Sequence, residues 1–408
     1  MKKFFQPQKW ESFLAEPESV QINISDDEIS IEKSVNNAAI LKQVPSFAVE
    51  EGKFYRASVY VENHGTESLI SSCVMLSQIG NEDKILMRIY FESKKENPNV
   101  KEIVFSPVTG CKNLKIEFGL KGKGKATFKN FSIEETQAPA ERKARVVTTR
   151  IECEPDMKRN MEKIELTMDK AGKLNPDLIV FTEKLVDAKS SLPIGETAET
   201  IDGPYCTLAK KYAVKYGTYI IINLNLRDED KRIYVASVLF DRKGKVVGIY
   251  RKTHLTYGEY EKGTTAGDEY PVFNTDFGKI GMLVCWDALF PEPARVLALK
   301  GAEIIAVSTA ACPHNRHNAR AIENGVYMII SGNGHPRGAI DVNLFNSKII
   351  SPTGRLLGSA HDDMEIALAE INLNEKPVVQ GLSVRADSYP NNVYMNERHP
   401  ELYEEIIR

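Results

Sequence analysis

The chain has 408 residues, with 53 Lys and Arg against 56 Asp and Glu, a net charge of −3 and a mean hydropathy of −0.31. That length accommodates two or three domains, and the near-neutral balance offers no basic field for nucleic acid or an anionic membrane. Six Cys scattered at 73, 111, 153, 206, 285 and 312 form no paired framework, no segment approaches a membrane span, and Met1-Lys2-Lys3-Phe4-Phe5-Gln6-Pro7 lacks a signal peptide's apolar stretch; free thiols in the cytoplasm are therefore expected.

From the N-terminus to about residue 135, apolar residues alternate in short runs, as in Tyr55–Val61, Ile85–Phe91, Leu114–Phe118 and Ala126–Ile133. Such runs between Gly, Asn and Lys turns predict an all-β sandwich. The last of them, Phe128-Lys129-Asn130-Phe131-Ser132-Ile133, resembles the closing strand of jelly-roll domains related to carbohydrate-binding modules. Sugar platforms need exposed aromatic faces, and Trp10 is the only Trp in this half. A glycan or protein ligand and a purely architectural role both stay open. Gly119–Ala126 approaches a phosphate-binding loop, but Ala126 stands where a hydroxyl must reach magnesium, and a strand follows. Its lysines are expected at a solvated hairpin tip.

Residues 136–144 are polar and aperiodic and read as a linker. Beyond it, over 145–375, strands and helices alternate, with 376–408 as a C-terminal extension. Asp156 is positioned to cap a helix bearing Met157, Met161, Ile164 and Met168 on one face, and Tyr205, Leu208, Tyr212 and Tyr216 mark a second helix. Thr218–Leu224, Ile233–Phe240 and Glu303–Ser308 read as strands, so the region is a layered α/β domain.

Three residues stand at the ends of such strands. Glu183 follows Leu178–Thr182, where a partly buried carboxylate can serve as general base. Lys252 closes Val246–Arg251 and offers a cation to developing negative charge. Cys285 ends Lys279–Val284, and Pro291–Arg295 opens a helix just after it. A thiol at that turn is expected to feel the helix dipole, which favours thiolate, and to have backbone N–H groups ready for an oxyanion. Taken singly, each has a plain structural reading, a buried small hydrophobe for Cys285 and solvated charges for the others.

Together the three segments, in this order, are similar to the signatures of the nitrilase superfamily, whose hydrolases use Glu as base, Lys at the tetrahedral intermediate and Cys as nucleophile. The likeness runs from about Arg145 to the C-terminus. It includes Pro271-Val272-Phe273, Arg320–Gly325, Ser347–Gly354 and Glu397–Tyr403. The resemblance implies a four-layer αββα sandwich, dimers or higher homo-oligomers with 376–408 at the interface, and no cofactor. It also implies a second Glu after the Lys, for which Glu259 is preferred and Glu261 stays open. Trp286-Asp287 resembles the amidase and carbamoyl-amide branches. The expected reaction is hydrolysis of a small non-peptide amide or carbamoyl bond through a thioester on Cys285, with Trp286, His314, Asn315 and Glu261 as substrate-binding candidates.

Cys312-Pro313-His314-Asn315-Arg316-His317, with His335, contains metal-ligand types. Zinc sites draw spaced pairs from two segments, so no metal is expected, and in the family this loop lines the substrate pocket. Gly332–Gly338 reads as a Gly-rich turn, because Pro336 interrupts any dinucleotide-loop pattern. The competing functions are nitrile hydrolysis or acyl transfer by the same trio, and a quiet scaffold whose sandwich binds glycan or protein.

Overall fold

The computed structural model describes residues 10–14, 16–35, 38–43, 47–65, 72–94, 96–310, 314–332, 347–375, 398 and 400–406. The chain divides into two compact units, Met1–Ala140 with Val378–Arg408, and Glu141–Pro377.

Among the described residues the first unit is all β, with two six-stranded antiparallel sheets. One has Asn113–Lys121 at its centre, the other Gly124–Thr136 and Phe54–His64. Period-two alternation turns Ile29, Ile31, Val59, Val61 and Phe128 of one sheet toward Leu76, Ile89, Leu114, Ile116 and Phe118 of the other. Phe118 and Phe128 meet across this core at 4.7 Å between ring centroids. The expected hairpin at Gly122–Lys123 is corrected: the strands on either side pair in different sheets, so this turn crosses between layers. The alternation is the same in both cases; only the pairing partners distinguish a hairpin from a crossover.

The second unit holds two further six-stranded sheets. In the first, Lys143–Thr149, Leu178–Val180 and Tyr219–Arg227 run parallel at the centre, flanked by antiparallel Ile366–Asn372, Ile233–Phe240 and Val246–Arg251. In the second, Lys279–Val284, Ile304–Thr309 and Tyr327–Gly332 are parallel, flanked by antiparallel Val272–Asn274, Ser347–Ile350 and Leu356–Ala360. Leu178 and Val180 face Met282, Val284, Ile305 and Val307 between the sheets. Ile179, Ile220 and Ile222 face outward onto helices Met157–Gly172 and Pro204–Tyr216. Helices Pro291–Leu299 and His314–Asn324 cover the other sheet through Leu297, Ala294 and Ala321. The layers are αββα, because parallel strands need both faces covered.

The local signals account for the helices. Asp156 Oδ1 accepts from the N–H groups of Lys158 and Arg159, Ile164 and Met168 are fully buried, and Pro204 and the left-handed Gly217 bracket the second helix.

Candidate active site

The parallel strands of both sheets end at the same side of the sandwich, and a cross-sheet bond fixes their relative height: the Ser308 hydroxyl donates to the Phe181 carbonyl at 2.8 Å. Two residues beyond Phe181, Glu183 is only 3% exposed. Its Oε2 accepts from the backbone N–H of Ala310 at 3.0 Å, just past strand Ile304–Thr309, and its Oε1 meets Lys252 Nζ at 2.9 Å.

Lys252 extends from the end of strand Val246–Arg251, pinned by its N–H to the Val235 carbonyl at 2.9 Å, and is 1% exposed. Its Nζ also lies 2.9 Å from Glu259 Oε1. Glu259 sits in the short helix Tyr257–Glu261, where its Oε2 accepts from the Thr256 N–H at 2.8 Å and the Thr256 hydroxyl at 3.1 Å. One carboxylate oxygen thus closes the helix cap while the other faces the cluster.

A fourth charge, absent from the sequence reading, completes the group. Lys184 Nζ lies 3.0 Å from the same Glu259 Oε1. Lys184 has a left-handed backbone, φ 47°, and its N–H donates to Asn223 Oδ1 at 3.1 Å. That strain is tolerated where surrounding contacts over-determine the conformation. Its position directly after the expected base, Glu-Lys in sequence, was the only available signal.

Two carboxylates and two ammoniums therefore alternate in a chain, which is what makes their burial affordable. Burial alone would raise the Glu259 carboxyl, but Lys184 and Lys252 outweigh it and hold the group at about 2. Burial likewise works against both ammoniums, yet Glu183 and Glu259 raise the pKa of each above the ordinary lysine value.

Cys285 opens a 3-10 turn, Cys285–Leu289, at the end of strand Lys279–Val284, with φ 44°. The buried Asp287 holds this elbow. Its Oδ2 accepts from the Val284 N–H at 2.9 Å and the Tyr250 hydroxyl at 2.8 Å, and its Oδ1 from the His254 N–H at 2.9 Å and the Thr253 hydroxyl at 3.1 Å. One carboxylate so ties the loop after Lys252 to the turn carrying the thiol. The expected help from a helix dipole is corrected. The following helix starts only at Pro291, beyond the 3-10 turn, and the thiol is pushed up to about 11, first by burial and then by Glu183, against a lowering by Lys252, Thr309 and the Ala310 N–H. The resting group is a thiol beside a carboxylate rather than a free thiolate.

Of the other expected site residues, Glu261 is solvent-exposed while Glu259, two positions earlier, is 6% exposed and bonded to both lysines; helix periodicity turns them to different faces. Trp286 is 43% exposed on the elbow. His314 begins the helix His314–Asn324, but the side chains of His314 and Asn315 lie outside the described residues, as do Cys312, Pro313 and His335. Among the described residues no group of three His, Cys, Asp or Glu side chains is arranged to hold a metal, and no helix is long and apolar enough to cross a membrane.

A buried Glu-Lys-Glu trio joined by the half-buried Lys184, with a thiol on a strained elbow in an αββα sandwich, describes a cysteine-dependent hydrolase of carbon–nitrogen bonds. The sequence profile of that family, Carbon-nitrogen hydrolase, matches residues 143–376, and the chain belongs to it. It is a hydrolase acting on carbon–nitrogen bonds other than peptide bonds. A probable nitrilase of Schizosaccharomyces pombe is 29% identical over 272 residues, spanning 62% of this chain and 94% of the relative. The N-carbamoylputrescine amidase of Solanum tuberosum is 28% identical over 217 residues, spanning 46% of this chain and 68% of the relative. The structure of a mutant of the amidase from Nesterenkonia sp. AN1, showing Michael addition of acrylamide at the active-site cysteine, superposes with a TM-score of 0.52 at 22% identity, covering 64% of this chain and 99% of that one; this likeness is one of fold.

Proposed function

We propose that this chain cleaves a small non-peptide amide or carbamoyl compound through a thioester on Cys285. The observation that supports this most is the grouping of the three side chains: Glu183 Oε1 lies 2.9 Å from Lys252 Nζ, and both of these charges act on the Cys285 thiol. Glu183 takes the thiol proton as sulfur adds to the carbonyl carbon. Lys252 and the Trp286 N–H receive the oxyanion. Collapse of the intermediate passes the proton from Glu183 to the departing nitrogen, leaving the thioester. Water, giving a proton to Glu183, then attacks the thioester; the acid is released and Glu183 returns that proton to the Cys285 sulfur. Glu259 positions Lys252 and does not itself exchange protons, since its carboxyl is held at about 2. The similarity to the N-carbamoylputrescine amidase of Solanum tuberosum supports an amide- or carbamoyl-type substrate.

The test is ammonia release from a panel of primary amides and N-carbamoyl amines, with acrylamide labelling read by intact mass. Cys285→Ala is expected to abolish both while retaining the fold. Lys252→Met is expected to lower turnover by roughly 10²–10³, the usual loss when an oxyanion donor is removed. Full turnover by Cys285→Ala would overturn the mechanism.

A further inference from the structure

Strands Lys279–Val284 and Ile304–Thr309 run parallel with Val284 opposite Ser308, so Cys285 and Thr309, the next residue on each, arrive side by side where the strands end. Thr309 is 2% exposed, and its Oγ1 is buried with no hydrogen-bond partner among the described residues. Neighbouring hydroxyls at the same strand ends are engaged: Ser308 donates to the Phe181 carbonyl at 2.8 Å, and Ser331, on the strand paired with Ile304–Thr309, donates to the Thr149 carbonyl. An unpaired buried hydroxyl weakens a fold, and a fold that keeps one has another state in which it is used.

The group within its reach is the Cys285 sulfur. The hydroxyl lies close enough to hold the thiol's pKa down, against burial and Glu183, which push it up. A neutral thiol is a weak acceptor and offers the hydroxyl little, whereas a hydrogen bond to an ionised partner is about twice as strong as a neutral one. Lys252 divides its charge between Glu183 and Glu259, and the helix beyond the elbow begins only at Pro291, so a thiolate gains most from a donor of its own.

We propose that Thr309 is a catalytic residue of this site: as Glu183 takes the thiol proton, the Thr309 O–H turns onto the Cys285 sulfur and holds the thiolate through its attack on the carbonyl carbon. The inference rests on the hydrolase reading above and adds a residue to its machinery. The bond exists only while sulfur carries charge, so it favours the transition state over the resting enzyme. In the thioester the sulfur is neutral and the hydroxyl is released. When the attack of water breaks the C–S bond, sulfur leaves with the electron pair, the hydroxyl engages it again, and the proton returns from Glu183. Thr309 itself gives up no proton.

The test is acrylamide labelling of Cys285 in the full-length protein near pH 7.5, read by intact mass over a range of acrylamide concentrations, with urea unfolding in parallel. Sulfur bonds to the terminal alkene carbon and the thiol proton ends on the carbon beside the carbonyl, so the reaction needs thiolate but no leaving group. Thr309→Val keeps the shape of the side chain and lacks the O–H. Losing a bond to a charged acceptor lowers the thiolate fraction about tenfold or more. A more basic thiolate is the better nucleophile, with a Brønsted slope of about 0.4–0.5, so the maximal labelling rate is expected to fall roughly threefold or more. The half-saturating concentration is expected to stay unchanged, and the urea midpoint to be equal or higher, because an unpaired buried group has been removed. Thr309→Ser is expected to restore the rate. If Thr309→Val does not fold, Thr309→Ser against Thr309→Ala, which differ only in the hydroxyl, makes the same comparison. Labelling of a folded hydroxyl-free variant at the wild-type rate overturns the proposal, as does a lowered midpoint with a raised half-saturating concentration, which marks a packing role. Absence of any acrylamide adduct on wild-type Cys285 instead overturns the hydrolase reading itself.

Discussion

Lys184→Met isolates the charge that the family pattern did not announce. The change keeps a flexible side chain of similar length but removes an ammonium 3.0 Å from Glu259 Oε1. Breaking a buried pair by deleting one partner costs about 3–5 kcal/mol. Glu259 retains Lys252 and both Thr256 bonds, so a loss of stability of about 3 kcal/mol is expected, the low end of that range. The same ammonium acts on Glu183. Lys184 also helps hold the Glu259 carboxyl down, so its loss raises that carboxyl, and the acid limb of the acrylamide-labelling rate at Cys285 is expected to move to higher pH. Labelling rates from pH 5 to 9 and urea unfolding at pH 7.5 measure the two effects separately. Lys184→Arg is expected to restore the limb. An unchanged pH profile in a folded Lys184→Met protein would refute the electrostatic role, whatever the stability.

Two further outcomes follow from the same geometry. The Glu259 carboxyl is lowered on folding to about 2, so its stabilising contribution is fully present above the unfolded carboxyl value and is lost as pH falls through about 2; acid unfolding of Glu259→Gln, monitored by circular dichroism, should lack much of the wild type's slope between about pH 4.5 and 2. Gly248 in strand Val246–Arg251 lies against Phe273 of the facing sheet, and a Cβ there would meet the ring at 1.9 Å. Gly248→Ala should cost about 1–3 kcal/mol in urea unfolding, and an unaltered midpoint would contradict the close approach of these strands.

The sequence alone determined the elements whose signals are local. Period-two runs marked the sandwich and the central strands, Asp156 and Gly217 bounded their helices, and Glu183, Lys252 and Cys285 were legible because each closes an apolar strand. Contacts between distant segments were decided only by tertiary structure. Alternation carries no record of which strand pairs with which, so Gly122–Lys123 read as a hairpin when it crosses between sheets. The choice of Glu259 over Glu261 required knowing which face of a one-turn helix meets Lys252. The thiol's rise to about 11 reflects burial beside Glu183, a long-range neighbour that outweighs the local expectation of a helix dipole. Lys184 joined the cluster, and Thr309 came beside Cys285, because the sheets bring their strand ends to a common edge. Charge and hydrogen-bonding partners depend on distance in space, which spacing along the chain does not encode.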